Sequence, residues 1–416
     1  MAVMTDIKQA LVIGATGNIG RHAVALLRDR GVAVRGMARD VRDLPEGVDR
    51  VSADVRDLDA LRTAVQDVDA VLLVWPFMAA DGIDDVAAVI GRPGRRVVYV
   101  SAMSVRDDAP PERNGVWGQV EDAIRGSGSD WTFLRASGFA TNTLQWAPAI
   151  RAGQPVRAPY LYAARSLIHE QDIADVAVLA MTSPGHTGHA YALTGPVAIT
   201  QAEQVRLIGT AAGVPVSAEE AGHDEARTEM LSWAEPSFAD AALGYWASLV
   251  ATPEPVTDTV RELTGSPARP FARWARDHAA DFRALSIEEV ARRYVEAFRA
   301  GRMDRALALI DPGLVRVAPA ETGGERTELR GLPDVMANAE RLTADLDIHA
   351  VAADGPFVGG DRFAVRFTFD QTHRPTGQRA EATKLCLYTV ASGAIVREEV
   401  SYFDPPPARL DTRTAS

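Results

Sequence analysis

The stretch Ala10-Leu11-Val12-Ile13-Gly14-Ala15-Thr16-Gly17-Asn18-Ile19-Gly20-Arg21 decides how the first part of the chain folds. An apolar run ends at Ile13, glycines follow at positions 14, 17 and 20, and Ile19 to Arg30 then reads as a helix stopped by Gly31. Strand, glycine turn and helix in this order put free backbone N–H groups and the positive end of a helix dipole where a pyrophosphate can lie. Gly14, Gly17 and Gly20 let the backbone approach closely, and Thr16, Asn18 and Ile19 complete the loop.

Outward from this loop, short apolar runs at Val32–Met37, Arg50–Ala53, Ala70–Trp75, Arg96–Ser101 and Trp131–Arg135 alternate with helix-like segments. That alternation predicts an α/β Rossmann-type, doubly wound parallel sheet. The second strand runs into Met37-Ala38-Arg39-Asp40, about 20 residues past the loop, where ribose selectivity is set. Arg39 suits the 2′-phosphate of NADP and Asp40 the 2′-hydroxyl of NAD. Arg39 comes first and Arg42 adds charge, which favours NADPH; Arg39 also reads as a plain surface residue. Asp54 and Val55 suit the adenine edge, or Asp54 caps the next helix, and Val74 at the end of the fourth strand joins the cofactor set.

From about Ile7 to Phe282 the chain resembles the NmrA-like atypical short-chain dehydrogenase/reductases. The resemblance rests on Gly14–Gly20, Val98-Tyr99-Val100-Ser101, Trp131-Thr132-Phe133-Leu134-Arg135 with Phe139 and Asn142, Asp172-Ile173-Ala174-Asp175-Val176-Ala177, and Tyr191-Ala192-Leu193-Thr194-Gly195-Pro196. The Gly-x-x-Gly-x-x-Gly spacing is the form such proteins use. The resemblance implies NADP(H) binding and a group that spans quinone- and enone-type reductases as well as NADPH sensors.

Most of that superfamily protonates its product with a Tyr-x-x-x-Lys pair, which this chain cannot contain. Its lysines are Lys8 and Lys384, preceded four positions earlier by Met4 and Ala380. The corresponding segment carries Arg113 and Trp117; Trp117 cannot serve as a proton donor and reads as a wall of the substrate pocket, with Phe139 and Asn142. Ser101, at a strand end, is a hydrogen-bonding candidate for cofactor and catalysis, or a serine that satisfies backbone.

Composition narrows the setting. The 416 residues are 47% hydrophobic and carry a formal charge of −12, which suits a globular enzyme and argues against nucleic-acid binding. No secretory signal and no membrane span is visible, and Ala70 to Ala80 is too short to cross a bilayer. One cysteine, Cys386, excludes an intrachain disulfide and cysteine-based zinc sites; no metal is expected, and the cytoplasm is the natural compartment.

A boundary falls near Ala284, giving domains 1–284 and 285–404 and a disordered tail 405–416. Ser286 and Glu289 form a capping box, and Ile287, Val290, Ala291, Tyr294, Val295 and Phe298 recur at helical spacing. A shorter helix is expected over Met303–Ile310, ended by Asp311-Pro312-Gly313, and another over Pro333–Leu342. Then Phe363, Val365, Phe367 and Phe369 alternate as a half-buried strand, and strands near Glu381–Val390 and Ile395–Phe403 follow. Helices first and an antiparallel sheet afterwards predict an α+β domain.

Residues Ser286 to Asp404 resemble the SnoaL-like group of the nuclear transport factor 2-like superfamily, through Tyr294-Val295-Glu296-Ala297-Phe298, Gly360-Asp361-Arg362-Phe363-Ala364-Val365 and Leu387-Tyr388-Thr389-Val390. That resemblance implies a cone-shaped fold around an apolar pocket, used for cyclisation, isomerisation or dehydration, or only for ligand holding or dimerisation. Glu398, Val400 and Tyr402 share a strand face, so Glu398 in a dry cone would be an acid or base with Tyr402 beside it; His349 and Lys384 are candidate pocket partners. The same residues also read as a solvated charged face.

The expectation is a reductase of secondary metabolism that uses NADPH on a carbonyl, enone or quinonoid small molecule, fused to a cyclase-like domain that also offers a homodimer contact. Its alternatives are a non-redox cyclase on a Rossmann scaffold and an NADP(H)-sensing binding protein.

Overall fold

The computed structural model describes residues 7–319 and 326–403. The expected tail at 405–416 lies outside the described residues. The chain divides into two compact units after Phe282.

The first unit begins with β1 (Gln9–Ile13), α1 (Gly20–Asp29), β2 (Ala33–Ala38), β3 (Asp49–Ser52), α2 (Leu58–Ala64), β4 (Ala70–Leu73), α3 (Ile83–Ile90), β5 (Arg96–Ala102), α4 (Gly115–Gly126) and β6 (Asp130–Ala136). These strands form a parallel sheet in the order β3-β2-β1-β4-β5-β6, closed by strand His189–Leu193. Alternate residues of each strand feed two cores. Ala10, Val12, Leu72, Val98 and Leu134 pack under α1 and helix Glu170–Thr182. Leu11, Ile13, Val71, Val97 and Phe133 face α2, α3 and α4. Burial on both faces explains the uninterrupted apolar runs. Strand order reverses between β1 and β4, and the crevice beyond the carboxyl ends there is where such sheets bind ligands. A third cluster, around Trp274 and Phe282, joins helices Gln201–Ala212 and Phe271–Asp277.

The second unit is an α+β cone. Its sheet runs, in order, Arg326–Arg330, Ile310–Pro319, Ala394–Tyr402, Gln378–Ala391, Arg362–His373 and Leu346–Gly359. Helix Ile287–Arg299 is capped by Ser286, whose hydroxyl accepts the Glu289 N–H at 3.3 Å, and it lays Val290, Tyr294 and Val295 on the apolar sheet face.

Two expectations need correction. The helix placed over Met303–Ile310 stops at Leu307, and Ile310–Pro319 is a strand. Asp311-Pro312-Gly313 reads locally as a helix end, but the segment pairs in parallel with Ala394–Tyr402, and its register shifts between Ile310 and Val315. Such a bulge tolerates a proline without an N–H. The order is therefore not helices followed by sheet, because two strands precede helix Leu332–Thr343. No helix among the described residues is long and apolar enough to cross a membrane.

Candidate functional site: a dinucleotide cradle and a polar chain in the cone

Glycine is needed at the cradle for two distinct reasons. Gly14 sits at φ +83°, and its N–H donates to the Met37 carbonyl at 2.9 Å, which ties the loop to β2. At Gly20 a Cβ would lie 2.1 Å from the Gly14 oxygen and 2.9 Å from the Ala15 Cα. The Gly17 N–H donates back to the Gly14 oxygen at 2.9 Å. No side chain caps α1, and the N–H groups of Thr16, Asn18, Ile19 and Gly20 make no hydrogen bond among the described residues. Ile19 is buried, so it offers its N–H and not its side chain. Val74 lies against Gly14, its Cβ 3.5 Å from where a Gly14 Cβ would be. A loop crowded to backbone contact, with free donors at a helix start, fits a bound pyrophosphate.

The ribose end differs in part from expectation. Arg39 is exposed at the end of β2, and its guanidinium makes no hydrogen bond or ion pair among the described residues. Arg42 does not add free charge, because both Asp40 oxygens bind it, at 3.1 and 2.9 Å. The same pair occupies Asp40, which weakens the case for a 2′-hydroxyl acceptor. Asp54 accepts the Arg56 N–H at 3.0 Å, and this bond, against some desolvation, holds its carboxyl below the usual range. Asp57, not Asp54, caps α2, accepting the Ala60 N–H at 3.1 Å. Val55 is buried in the core, so only its backbone can meet a ligand.

Beyond β5 and β6 the candidates separate. Ser101 differs from expectation, for its hydroxyl is buried and donates inward to Glu121 at 2.6 Å. Glu121 is fully buried and also takes two bonds from Arg135, at 3.0 and 2.7 Å, and one from Arg125 at 2.9 Å. Buried carboxylates need such partners, so Ser101 belongs to a structural knot. Trp117 is half-buried, with its ring 6.2 Å from Phe238 on helix Pro236–Ser248; Trp233 packs on Phe238 at 6.0 Å. This helix and its aromatic side chains carry no motif, so sequence reading missed them. Phe139 packs against the core, bridged by backbone to Ile168, and Asn142 is exposed.

In the cone, alternate residues bring Tyr388, Glu398 and Arg316 onto one rung of three strands. The Tyr294 hydroxyl donates to that of Tyr388 at 3.1 Å, Tyr388 donates to Glu398 at 3.3 Å, and Arg316 donates to Glu398 at 3.0 Å and to Tyr402 at 3.5 Å. Glu398 is therefore not a lone carboxylate in an apolar pocket. It is ion-paired and 12% exposed, at the edge of an apolar cluster that contains Tyr294, Tyr388, Phe363 and Phe367. Burial pushes the adjacent Cys386 thiol up to about 12. Lys384 faces the same side, with its ammonium 5.2 Å from the Phe369 ring centre. His349 does not join them: it is exposed on the edge strand and bonded to Thr372 at 2.7 Å.

A family model for NAD(P)H-binding proteins matches residues 14–184. The chain is also 40% identical over 278 residues to a (4-alkanoyl-5-oxo-2,5-dihydrofuran-3-yl)methyl phosphate reductase of Streptomyces griseus, a match covering 65% of this chain and 98% of that protein. The chain belongs to the NAD(P)H-dependent reductases. An NAD(P)H azoreductase of Xenophilus azovorans is 36% identical to this reductase, over 66% of this chain and 99% of its own length. The solved NADPH-dependent quinone oxidoreductase of Escherichia coli shares the fold, with a TM-score of 0.53 at 21% identity over 64% of this chain and 98% of its own. The reductase carries a further unit, for a SnoaL-like domain model matches residues 291–398.

Proposed function

We propose that the chain uses NADPH to reduce a conjugated carbonyl, enone or quinonoid intermediate of polyketide-like secondary metabolism, and that the cone acts as a cyclase or isomerase on the same molecule. One observation carries the first half: the dinucleotide cradle is complete, yet no Tyr-x-x-x-Lys pair exists to protonate a product. NADPH, when bound, supplies a hydride. The chain's own part is to orient the acceptor against the wall formed by Trp117 and Phe238 and to exclude water from its apolar side. Without a donor tyrosine, the acceptor must hold the arriving charge itself until solvent protonates it. The name of the Streptomyces relative's substrate describes such an acceptor, a ring C=C flanked by a lactone carbonyl and an alkanoyl carbonyl. The unpartnered Arg39 supports NADPH over NADH.

The test is turnover of acyl butenolides, quinones and simple ketones with NADPH deuterated at its transferable position, followed by product mass. Label in conjugated products with little reduction of simple ketones is expected; equal reduction of simple ketones refutes the reading. A second, non-redox reading is favoured by the polar chain Tyr294–Tyr388–Glu398–Arg316–Tyr402, with Glu398 and Tyr402 as the acid/base pair. Conversion without NADPH consumption, abolished by Glu398→Gln, would select it. We take segments 1–284 and 285–404 as the units that carry these two activities.

A further inference from the structure

Arg165 stands out among the half-buried cations of the first unit. It lies on the short strand Ala164–Arg165, paired with Ile199–Thr200, and its side chain is 17% exposed. Its Nε is buried with no hydrogen-bond partner, and its terminal nitrogens make no hydrogen bond among the described residues. Glu254 is the nearest carboxylate, at 4.0 Å from Nε, beyond hydrogen-bonding distance. That carboxylate is already satisfied by the Ser166 N–H at 2.7 Å, the Ser166 hydroxyl at 2.9 Å and the Tyr245 hydroxyl at 2.7 Å. Glu254 thus offsets the charge of Arg165 without using its donors. A buried guanidinium N–H with no acceptor is costly unless something else accepts it, and the terminal nitrogens, which reach the surface, are open to the same partner.

Its position says what. The guanidinium rests on Gly138, where a Cβ would come 2.2 Å from the terminal nitrogen and 2.7 Å from Cζ. Gly138 follows β6, at the carboxyl edge of the sheet. From β1 to β6 is three strand steps, about 14 Å at the usual spacing. A dinucleotide anchored at the β1/β4 switch therefore extends its reactive half toward Gly138. Trp246, from the helix that also carries Phe238, closes over the guanidinium at 5.6 Å.

The geometry points to Arg165 as the donor that receives the carbonyl oxygen of a conjugated acceptor as that oxygen takes up negative charge. It replaces by hydrogen bonding what the missing tyrosine would have done by proton transfer. The substrate class is then an enone or β-dicarbonyl precursor whose reduced form is an enolate: hydride adds to the alkene carbon β to the carbonyl, the alkene pair becomes the new bond between the α carbon and the carbonyl carbon, the carbonyl pair moves onto oxygen against Arg165, and water later protonates the α carbon. This rests on the reductase reading above.

The probe is 3-acetyltetronate, a stable β-dicarbonyl enolate, titrated calorimetrically into the full chain saturated with NADP⁺. Arg165→Gln should weaken its binding by about 100-fold, the loss typical of one oxyanion donor, with NADP⁺ affinity unchanged. Arg165→Lys should retain part of the binding. Gly138→Ala, which keeps the charge but displaces the guanidinium, should fall with Arg165→Gln. On a turned-over acyl butenolide the same variants should lower kcat and leave KM within about threefold. Absence of probe binding by the wild type, or unchanged binding in a folded Arg165→Gln, overturns the proposal; so does a loss confined to KM. Probe binding that depends on Arg165 without any turnover would leave Arg165 standing and sink the reductase reading instead.

Discussion

Replacing Gly20 by alanine tests the cradle directly. The new methyl would sit 2.1 Å from the Gly14 oxygen, 2.8 Å from the Gly14 carbonyl carbon and 2.9 Å from the Ala15 Cα, all backbone atoms. Normal carbon contacts need about 3.5 Å or more, so the loop and α1 must separate by roughly 1 Å. The loop cannot simply swing away, because the Gly14 and Ala15 N–H groups both bind the Met37 oxygen, at 2.9 and 3.2 Å. Overpacking of this kind costs about 1–3 kcal/mol of stability. A shift of that size also misaligns the N–H groups of Asn18, Ile19 and Gly20 relative to a phosphate. Losing one or two charge-assisted hydrogen bonds at about 1.5–3 kcal/mol each weakens NADPH binding by at least roughly tenfold, and by 100-fold or more if both are lost. NADPH fluorescence titration and thermal melting read the two effects separately. Gly126→Ala, in α4 with open space around its Cβ and an ordinary φ, is the control and should leave binding unchanged. Native NADPH affinity in Gly20→Ala would refute the close-contact reasoning.

Four further outcomes follow from the same contacts. Arg39→Ala should weaken NADPH binding by about 1–3 kcal/mol and leave NADH binding nearly unchanged; equal losses would show a structural arginine. Glu121→Ala should cost about 3–5 kcal/mol in chemical denaturation, since it strips Arg135 of a buried partner, whereas Ser101→Ala should cost about 1 kcal/mol and spare NADPH affinity; a selective loss of turnover in Ser101→Ala would restore its catalytic role. Burial lowers the His278 pKa, but its bonds to Asp281 and Glu170, both at 2.8 Å, outweigh this and raise it to about 9. A raised histidine stabilises fully below its unfolded value of 6.5 and loses that contribution as pH climbs through about 9, so urea unfolding should show up to about 3 kcal/mol less stability at about pH 10 than at about pH 6, and His278→Gln should flatten that difference. Glu398→Ala should destabilise the cone by about 3 kcal/mol through loss of the Arg316 pair; no change in its unfolding would mean that the pair is decorative.

What was legible in the sequence is what short stretches decide alone. Gly14, Gly17 and Gly20 announce a close backbone approach because only glycine avoids the clash at Gly20. Period-two burial in Phe363, Val365 and Phe367 and the Ser286 cap declare strand and helix within a few residues. Partnership across distance was not legible. Ser101 reads as a strand-end hydroxyl for a ligand or the backbone until Glu121, 20 residues on, accepts its hydrogen bond inward. Asp311-Pro312-Gly313 reads as a helix stop until Ala394–Tyr402 supplies the ladder that makes it a bulged strand. Glu398 looks like a lone acid until Arg316, 82 residues earlier, arrives on the same rung. Arg165 belongs to no motif, and only the tertiary structure sets it on Gly138 beside a carboxylate that is already satisfied. Backbone sterics and burial period act locally and so appear in sequence, whereas the state of a polar group depends on which partner reaches it, and that is decided when distant segments pack.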